Sequence, residues 1–246
     1  MDLGLKGRRA LVTAASKGLG RACAEALITE GAKVFISSRN PEATAREIGA
    51  AGWVAADLAQ EDEPARIVEA ATRSLGGLDI LVENSGPPPP GTFASTSLDA
   101  WQAGFDLTLM SAVRLVTAAL PELRRSDQGR IVFITSISVR QPLPNIVLSN
   151  ALRGGVTGLA KTLSRELAPD RITVNCLAPD AILTDRIRQL AGSEEGVKAM
   201  GERAPMKRLG DPAEFAAACA FLCSKQAAYI SGQTIGVDGG SLLGVH

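Results

Sequence analysis

The sequence predicts an α/β fold: a single doubly wound domain on a parallel sheet of about seven strands. Three observations predict it. Apolar runs of strand length alternate with amphipathic runs of helix length from one end of the chain to the other. Glycine is abundant, at 25 residues, while aromatics reach only 4%, a composition suited to tight strand–helix turns and closely packed helices. The 246 residues suffice for one large core, and no linker, repeat or composition break divides them, so residues 1–246 are expected to form one domain.

Each element follows from its own pattern. RRALVTA is a buried first strand, and SKGLGRACAEALITEG is a helix with Leu19, Ala22, Cys23, Ala26 and Leu27 along one face. Gly31 ends that helix, where a residue free to take positive φ is favoured. AKVFISS, the polar helix around EATAREIGA and strand GWVAAD come next. DEPARIVEAATRSLGG is a helix with Pro64 in its first turn and Ile67, Val68, Ala71 and Leu75 inward. LDILVEN is a fourth strand, 97–123 one long helix, and GRIVFITS a fifth strand. A helix over about 147–167 precedes strand RITVNCLA. After a polar excursion come helix PAEFAAACAFLC and a last strand, QTIGVD. Strands alternating with helices imply right-handed crossovers and a parallel sheet covered on both faces. PPPP at 87–90 is a stiff loop expected to overhang the mouth of any site at that edge.

Composition excludes several functions. Lys plus Arg equals Asp plus Glu, 26 each, so no global field draws the chain to nucleic acid or an anionic membrane. The start, MDLGLKGRRALVTAAS, lacks an apolar run with a small-residue cleavage site, and no uninterrupted apolar stretch approaches the ~18 residues of a membrane span. The expectation is a soluble, cytoplasmic protein. Cys219 and Cys223 stand one helical turn apart, a spacing that can present two thiolates to a metal. Further ligands are lacking, because the only histidine is His246, so these two, Cys23 and Cys176 read as buried free thiols and no metal is expected. The single histidine also removes a histidine-based acid–base mechanism.

In open parallel sheets, ligands gather at the carboxyl ends of strands where strand order reverses. TAASKGLG sits at such a place. Around Thr13, Ser16, Lys17 and Leu19, Gly18 and Gly20 allow close approach of backbone to a pyrophosphate at a helix N-terminus. The same turn also serves simple strand–helix packing. At the end of the second strand, where an acid usually selects NAD, the sequence reads ISSRN. Ser38 and Arg39, with Lys17 nearby, suit a 2′-phosphate, so NADP is expected in preference to NAD. The alternative is that both cations are ordinary solvated charges.

With TAASKGLG, the strand-three acid Asp57, ENSG, ITSIS, APDAILTD and the ending RLGDPAEFAAACAFLCSKQAAYISGQTIGVDGG, the chain resembles the short-chain dehydrogenase/reductase family nearly end to end. Within it the chain most resembles the 3-oxoacyl-[acyl-carrier-protein] reductase branch. The resemblance implies a Rossmann-type dinucleotide fold, with Asp57 and Leu58 flanking the adenine. It places Asn84, Ser85 and Gly86 along the ribose, and Pro179, Ile182 and Thr184 toward the nicotinamide carboxamide. It also implies a homotetramer pairing the long fourth and fifth helices and using the C-terminal strand.

The departures from that family sit where function is decided. Ala14 replaces the first glycine of the turn, Glu83 replaces one Asn, Thr108 stands at the active-site Asn position, and Asp180 replaces a glycine. The family's Tyr position is Ser149 and its Lys position is Arg153, while the Ser thirteen residues before the Tyr is retained as Ser136. The only tyrosine is Tyr229, far along the chain. A phenol near pKa ~10, lowered by a cation, can release a proton near neutrality, whereas an aliphatic hydroxyl is a far weaker acid. Arginine stabilises an oxyanion but does not surrender its proton. General acid catalysis contributes about 10²–10⁴-fold, so its loss predicts impairment or altered chemistry before silence. Ser136, Ser138, Arg140, Gln141, Asn145, Ser149, Asn150 and Arg153 make a polar neighbourhood that is either a working site or a set of groups satisfying one another. Arg140 is either a seat for an anionic substrate group or a solvated loop cation. The reading is an NADP-dependent oxidoreductase for a small-molecule carbonyl/alcohol pair, with catalytic Ser136, Ser149 and Arg153, the last also bonding the nicotinamide ribose. The rival reading is a catalytically silent NADP-binding sensor or partner subunit.

Overall fold

The computed structural model describes residues 1–244, leaving His246 outside the described residues. Along the chain run β1 (Arg9–Val12), α1 (Gly18–Thr29), β2 (Lys33–Ser38), α2 (Glu42–Ile48), β3 (Gly52–Ala55) and α3 (Glu63–Leu75). Next come β4 (Ile80–Glu83), α4 (Leu98–Phe105), α5 (Ser111–Arg125), β5 (Arg130–Ile134), α6 (Val147–Glu166) and β6 (Thr173–Pro179). The chain then forms α7 (Asp185–Ala191), α8 (Glu194–Arg203), α9 (Pro212–Cys223) and β7 (Thr234–Val237). The seven strands form one parallel sheet in the order β3-β2-β1-β4-β5-β6-β7. Strand order reverses between β1 and β4, which opens a crevice at their carboxyl ends.

Alternation along the strands divides the core in two. Ala10, Val12, Val34, Ile36, Ile80, Val82, Val132 and Ile134 face one side, under α1 and α9. Leu11, Phe35, Leu81, Ile131, Phe133, Val174 and Cys176 face the other, under α3, α5 and α6. Ala22, Cys23, Ala216, Cys219 and Ala220 are small enough to let α1 and α9 pack closely, and all four cysteines are buried and free. The start of α9 carries a full capping box, Asp211 with Glu214, and Pro212 in its first turn.

The segment expected as one helix over 97–123 is divided. A π-helical stretch, Asp106–Met110, separates α4 from α5, and Thr108 is buried within it. Tertiary packing accounts for the break. Leu148 and Leu152 of α6 crowd the space above Gly104, and Leu109 crowds that above Gly155, so backbones approach on both sides of the wide turn. The full run Leu98–Arg125 has the length and apolarity of a membrane-crossing helix, with a mean hydropathy of 1.4 in its richest window. Asp99, Asp106 and Arg114 interrupt it, and α5 packs against α3 and β4. The polar excursion after β6 is also structured. It forms α7 and α8, the latter capped by Ser193, which accepts from the Gly196 amide at 3.0 Å.

The amino-terminal edge of the sheet is locked by one carboxylate. Asp79 accepts from the Arg9 amide and Nε at 2.9 Å each, from Arg9 Nη2 at 2.8 Å, and from Ser126 Oγ at 2.7 Å. Arg9 Nη1 also donates to the Gly76 carbonyl at 2.7 Å, in space that a side chain on Gly77 would fill. Burial alone would raise the Asp79 pKa, but the bonds from Arg9 and Ser126 override it and hold the group below the usual carboxylate range. A depressed carboxylate contributes stability above its unfolded pKa and loses it as pH falls through the folded one. Asp79→Asn is therefore expected to lower the unfolding free energy at neutral pH by about 3 kcal/mol. In urea titrations that deficit should shrink as pH falls below ~3.9, where the unfolded carboxyl begins to take up its proton, and close only once pH has passed the lower folded pKa.

Candidate functional site

At the β1–β4 crevice the chain stitches itself together. Thr13 Oγ donates to the Asn84 carbonyl at 3.0 Å and accepts from the Asn84 amide at 2.9 Å. Asn84 Nδ2 donates to the Ala14 carbonyl at 3.3 Å. A Cβ on Gly20 would lie 2.7 Å from that same carbonyl and from Asn84 Nδ2, so only glycine fits there. Gly18 takes φ +58°, and Ala14 takes φ +46° although it carries a side chain. The Ala14 conformation costs on the order of 1 kcal/mol. The neighbouring Ala15 amide, which donates to the Ser37 carbonyl at 3.0 Å, holds the turn in place.

This turn fits a dinucleotide pyrophosphate on structural grounds. Helix α1 begins with no side-chain cap from Lys17 and no acid in its first turn, leaving its amino end open to an anion. Ser16 is anchored through its carbonyl, which accepts from Thr44 Oγ at 2.9 Å, and Leu19 packs into the core. A Cβ on Gly18 would lie 3.7 Å from Thr184, so the segment after β6 closes over the glycine turn. In that segment Pro179 ends β6, Ile182 is buried and bridges Gly210, and Asp180 donates its amide to the Val237 carbonyl at 3.4 Å. At the end of β2, Ser38 Oγ is buried with no hydrogen-bond partner, a donor suited to a ribose or phosphate oxygen. Arg39 is exposed and rims a cavity of about 520 Å³ together with Asn40, Arg46 and Trp53. Leu58 is buried beside Asp57, whose Oδ1 accepts from the Ala59 amide at 3.1 Å. A larger depression, about 770 Å³, lies at the opposite edge, where the Arg8–Asp127 and Arg9–Asp79 pairs already match their charges.

The second half of the site is organised by Arg153. Its guanidinium is buried, with Nη1 donating to the Ile134 carbonyl at 2.6 Å and Nη2 to the Gly86 carbonyl at 2.7 Å. It thus bridges the carboxyl ends of β5 and β4. Burial lowers its pKa, Glu83 opposes that shift and Arg186 of α7 adds to it, yet arginine remains charged. Ser149 lies one helical turn before Arg153 in the first turn of α6 and is buried. Ser136 caps the short turn after β5, where its Oγ accepts from the Ser138 amide at 3.1 Å and keeps its own proton to donate. Ser85 donates to the Gly86 carbonyl at 3.3 Å.

Other members of the polar neighbourhood hold loops. Asn150 donates to the Leu143 carbonyl at 2.8 Å and accepts from the Leu143 amide. Arg140 donates to the Thr234 carbonyl at 2.5 Å, and Gln141 accepts from the Leu243 amide at 3.2 Å. The tetraproline loop ends by docking Gly91 on the start of α6, through Gly91 to Asn145 at 2.8 Å and Val147 to Gly91 at 3.1 Å. Buried hydroxyls of Thr108 and Ser138 and Oε1 of Glu83 have no partner. Burial pushes the Glu83 carboxyl up to about 7 against the opposing pull of Arg153. Neither Glu83 nor Arg186 was assigned a role from sequence, although a carboxylate closing the apolar run LDILV was a visible oddity. Because glycine takes positive φ without a Cβ clash, Ala14→Gly is expected to stabilise the protein by about 1 kcal/mol, read as an upward shift of the urea midpoint.

Comparisons with known proteins agree with this geometry. Residues 13–241 match the sequence model of a family described as enoyl-(acyl carrier protein) reductase. The chain is 34% identical over 245 residues to dehydrogenase/reductase SDR family member 4 of Homo sapiens, covering 96% of this chain and 88% of that one. It is 36% identical to the 3-oxoacyl-[acyl-carrier-protein] reductase FabG of Vibrio cholerae, covering 98% and 100%. Among solved structures it resembles YwfH, an NADPH-dependent reductase involved in bacilysin biosynthesis, with a TM-score of 0.92, 30% identity and 97% and 99% coverage. It also resembles L-sorbose reductase from Gluconobacter frateurii complexed with NADPH and L-sorbose, with a TM-score of 0.92, 33% identity and full coverage of both chains. A sheet of this strand order, a glycine turn cut to a pyrophosphate, and identity above 30% along almost the whole length place the chain in the short-chain dehydrogenase/reductase family.

Proposed function

We propose that the protein is an NADP-dependent oxidoreductase acting on a small-molecule carbonyl/alcohol pair. The observation that carries this reading is the buried Arg153 guanidinium, anchored at the carboxyl edge of the sheet one helical turn from Ser149. NADPH, when bound, supplies the hydride. Thr13, Ser16, Lys17, Gly18, Leu19 and Gly20 form its phosphate turn, and Ser38 and Arg39 take the 2′-phosphate. Asp57 and Leu58 flank the adenine, Asn84, Ser85 and Gly86 line the ribose, and Pro179, Ile182 and Thr184 face the carboxamide. Ser136 and Ser149 donate to the substrate oxygen. Arg153 stabilises its developing charge and turns its remaining N–H groups to the nicotinamide ribose. A guanidinium in a desolvated site acts more strongly on such charge than it would in water. The final proton comes from solvent, because no phenol stands beside the serines. The protein works in the cytoplasm as a homotetramer. Leu98 and Phe93, 86% and 77% exposed, support an assembly face along α4.

A second reading is favoured by one observation. Two Arg153 N–H groups are already spent on backbone carbonyls, which suits an NADP-binding protein without turnover. NADPH oxidation with a panel of ketones, 3-oxoacyl thioesters and quinones separates the two. Wild type should turn over at least one class, and Ser136→Ala with Arg153→Ala should be slower by about 10²-fold or more. Tight NADPH binding by fluorescence without turnover selects the silent protein, and failure to bind either dinucleotide rejects both readings.

A further inference from the structure

Among the described residues, Glu83 is the one buried carboxylate at the carboxyl edge of the sheet that the proposed chemistry leaves unused. It closes β4 opposite Phe133 of β5, is 1% exposed, and leaves Oε1 without a hydrogen-bond partner. Three residues later the chain reaches Gly86, whose carbonyl holds Arg153. The charged and titratable groups that face Glu83 come from two neighbouring elements. Arg153 of α6 attracts its ionised form, while Cys176 of β6 has a thiol that burial pushes up to about 12 and keeps neutral. Arg186 of α7 acts on Arg153 rather than on Glu83. A carboxyl buried without donors prefers to be neutral, and a buried guanidinium nearby prefers it ionised. Burial, with no donor to Oε1, outweighs the pull of Arg153, so this carboxyl takes up a proton far more readily than an exposed glutamate does.

We propose that Glu83 is a positioning residue of this site, which works through Arg153, cancelling the guanidinium's field when ionised and freeing it for the cleft when protonated. The step is an exchange of one proton between the carboxylate and solvent, with no bond made to substrate and no electrons moved. With Glu83 neutral, the full positive charge faces the oxygen on which negative charge develops. With Glu83 ionised, the pair is close to neutral overall, and stabilisation of that oxygen weakens. This role rests on the oxidoreductase reading. The charge relation between Glu83 and Arg153 does not.

The test is the pH dependence of kcat at saturating NADPH for wild type and Glu83→Gln. Wild-type kcat should fall about tenfold between roughly pH 6 and pH 8. Glu83→Gln should lack that limb and hold the acid-side rate, with the KM for NADPH unchanged between the two proteins. A limb that survives in Glu83→Gln overturns the proposal. A measurement without cofactor or turnover accompanies it: a ¹³C NMR titration of the wild-type glutamate carboxyl carbons. One carbon should titrate with a midpoint near 7, raised because the carboxyl is buried with no donor to Oε1, and disappear in Glu83→Gln, or shift in Glu83→Asp if the amide variant does not fold. Midpoints all below ~5 would overturn the inference, since an ordinary glutamate titrates there. A carbon titrating near neutrality in a protein that oxidises no NADPH would instead sink the oxidoreductase reading and leave the charge relation standing.

Discussion

Two short hydrogen bonds from one guanidinium close the carboxyl edge of this sheet. Strands that stop at β4 and β5 leave carbonyls pointing past the last ladder bond, and Arg153 satisfies one from each side, at Gly86 and Ile134. A planar fork with five donors can span two such acceptors and keep others free, which a single ammonium does less well. The cation of the site is therefore also a structural tie. Its position is set by bonds to the sheet's backbone and not by a flexible stem, and on the proposed function that rigidity lets its charge act on a small reacting group without reorganising. The same burial lowers the Arg153 pKa, a shift that Glu83 at the end of β4 opposes.

The departures from the family pattern differ in kind. Ala14 changes conformational energy and leaves geometry intact, because its carbonyl still accepts from Asn84 and the next amide still reaches Ser37. Gly20 had no such latitude, with a carbonyl and an amide 2.7 Å from where its Cβ would be, and it is unchanged. Position 153 altered the character of the site, exchanging a titratable point charge for a permanent planar one. Position 83 places a carboxylate, where the family pattern has Asn, within reach of the field of that guanidinium.

Most of the fold was legible because the chain is consistent across levels. Alternating apolar residues in RRALVTA and GRIVFITS assign both faces of the sheet, and Pro212 with Asp211 and Glu214 marks where α9 begins. The π-turn at Asp106–Met110 was not legible, since its five residues read as ordinary helix and the break lies where Leu148 and Leu152 of α6 press on Gly104 and the turn's own Leu109 presses on Gly155. In the site, the glycine turn, Ser38 and the Ser149–Arg153 spacing were visible as spacings. The partners of Arg153 were not, because they are backbone carbonyls 19 and 67 residues away and every sequence has carbonyls. The polar count around Ser149 and Arg153 is open to two readings for a related reason. Asn150, Arg140 and Gln141 look identical in sequence whether they meet a ligand or, as here, pin a loop.

What remains once those three are removed is a smaller set, Ser136, Ser138, Asn145, Ser149 and Arg153, with the carboxyl of Glu83 buried at the end of β4. Dryness changes the relative weight of the terms. In water a guanidinium a few ångströms from an oxyanion contributes about 1 kcal/mol, and at the effective dielectric of a protein interior several times that. A missing phenol forfeits roughly 3–5 kcal/mol of acid catalysis. On the proposed function, a buried, immobile cation recovers part of that sum while its charge is not cancelled by Glu83. On the proposed role, the protonation state of Glu83 decides which side of that balance the protein occupies, and β4 holds that carboxyl buried where its charge still acts on Arg153.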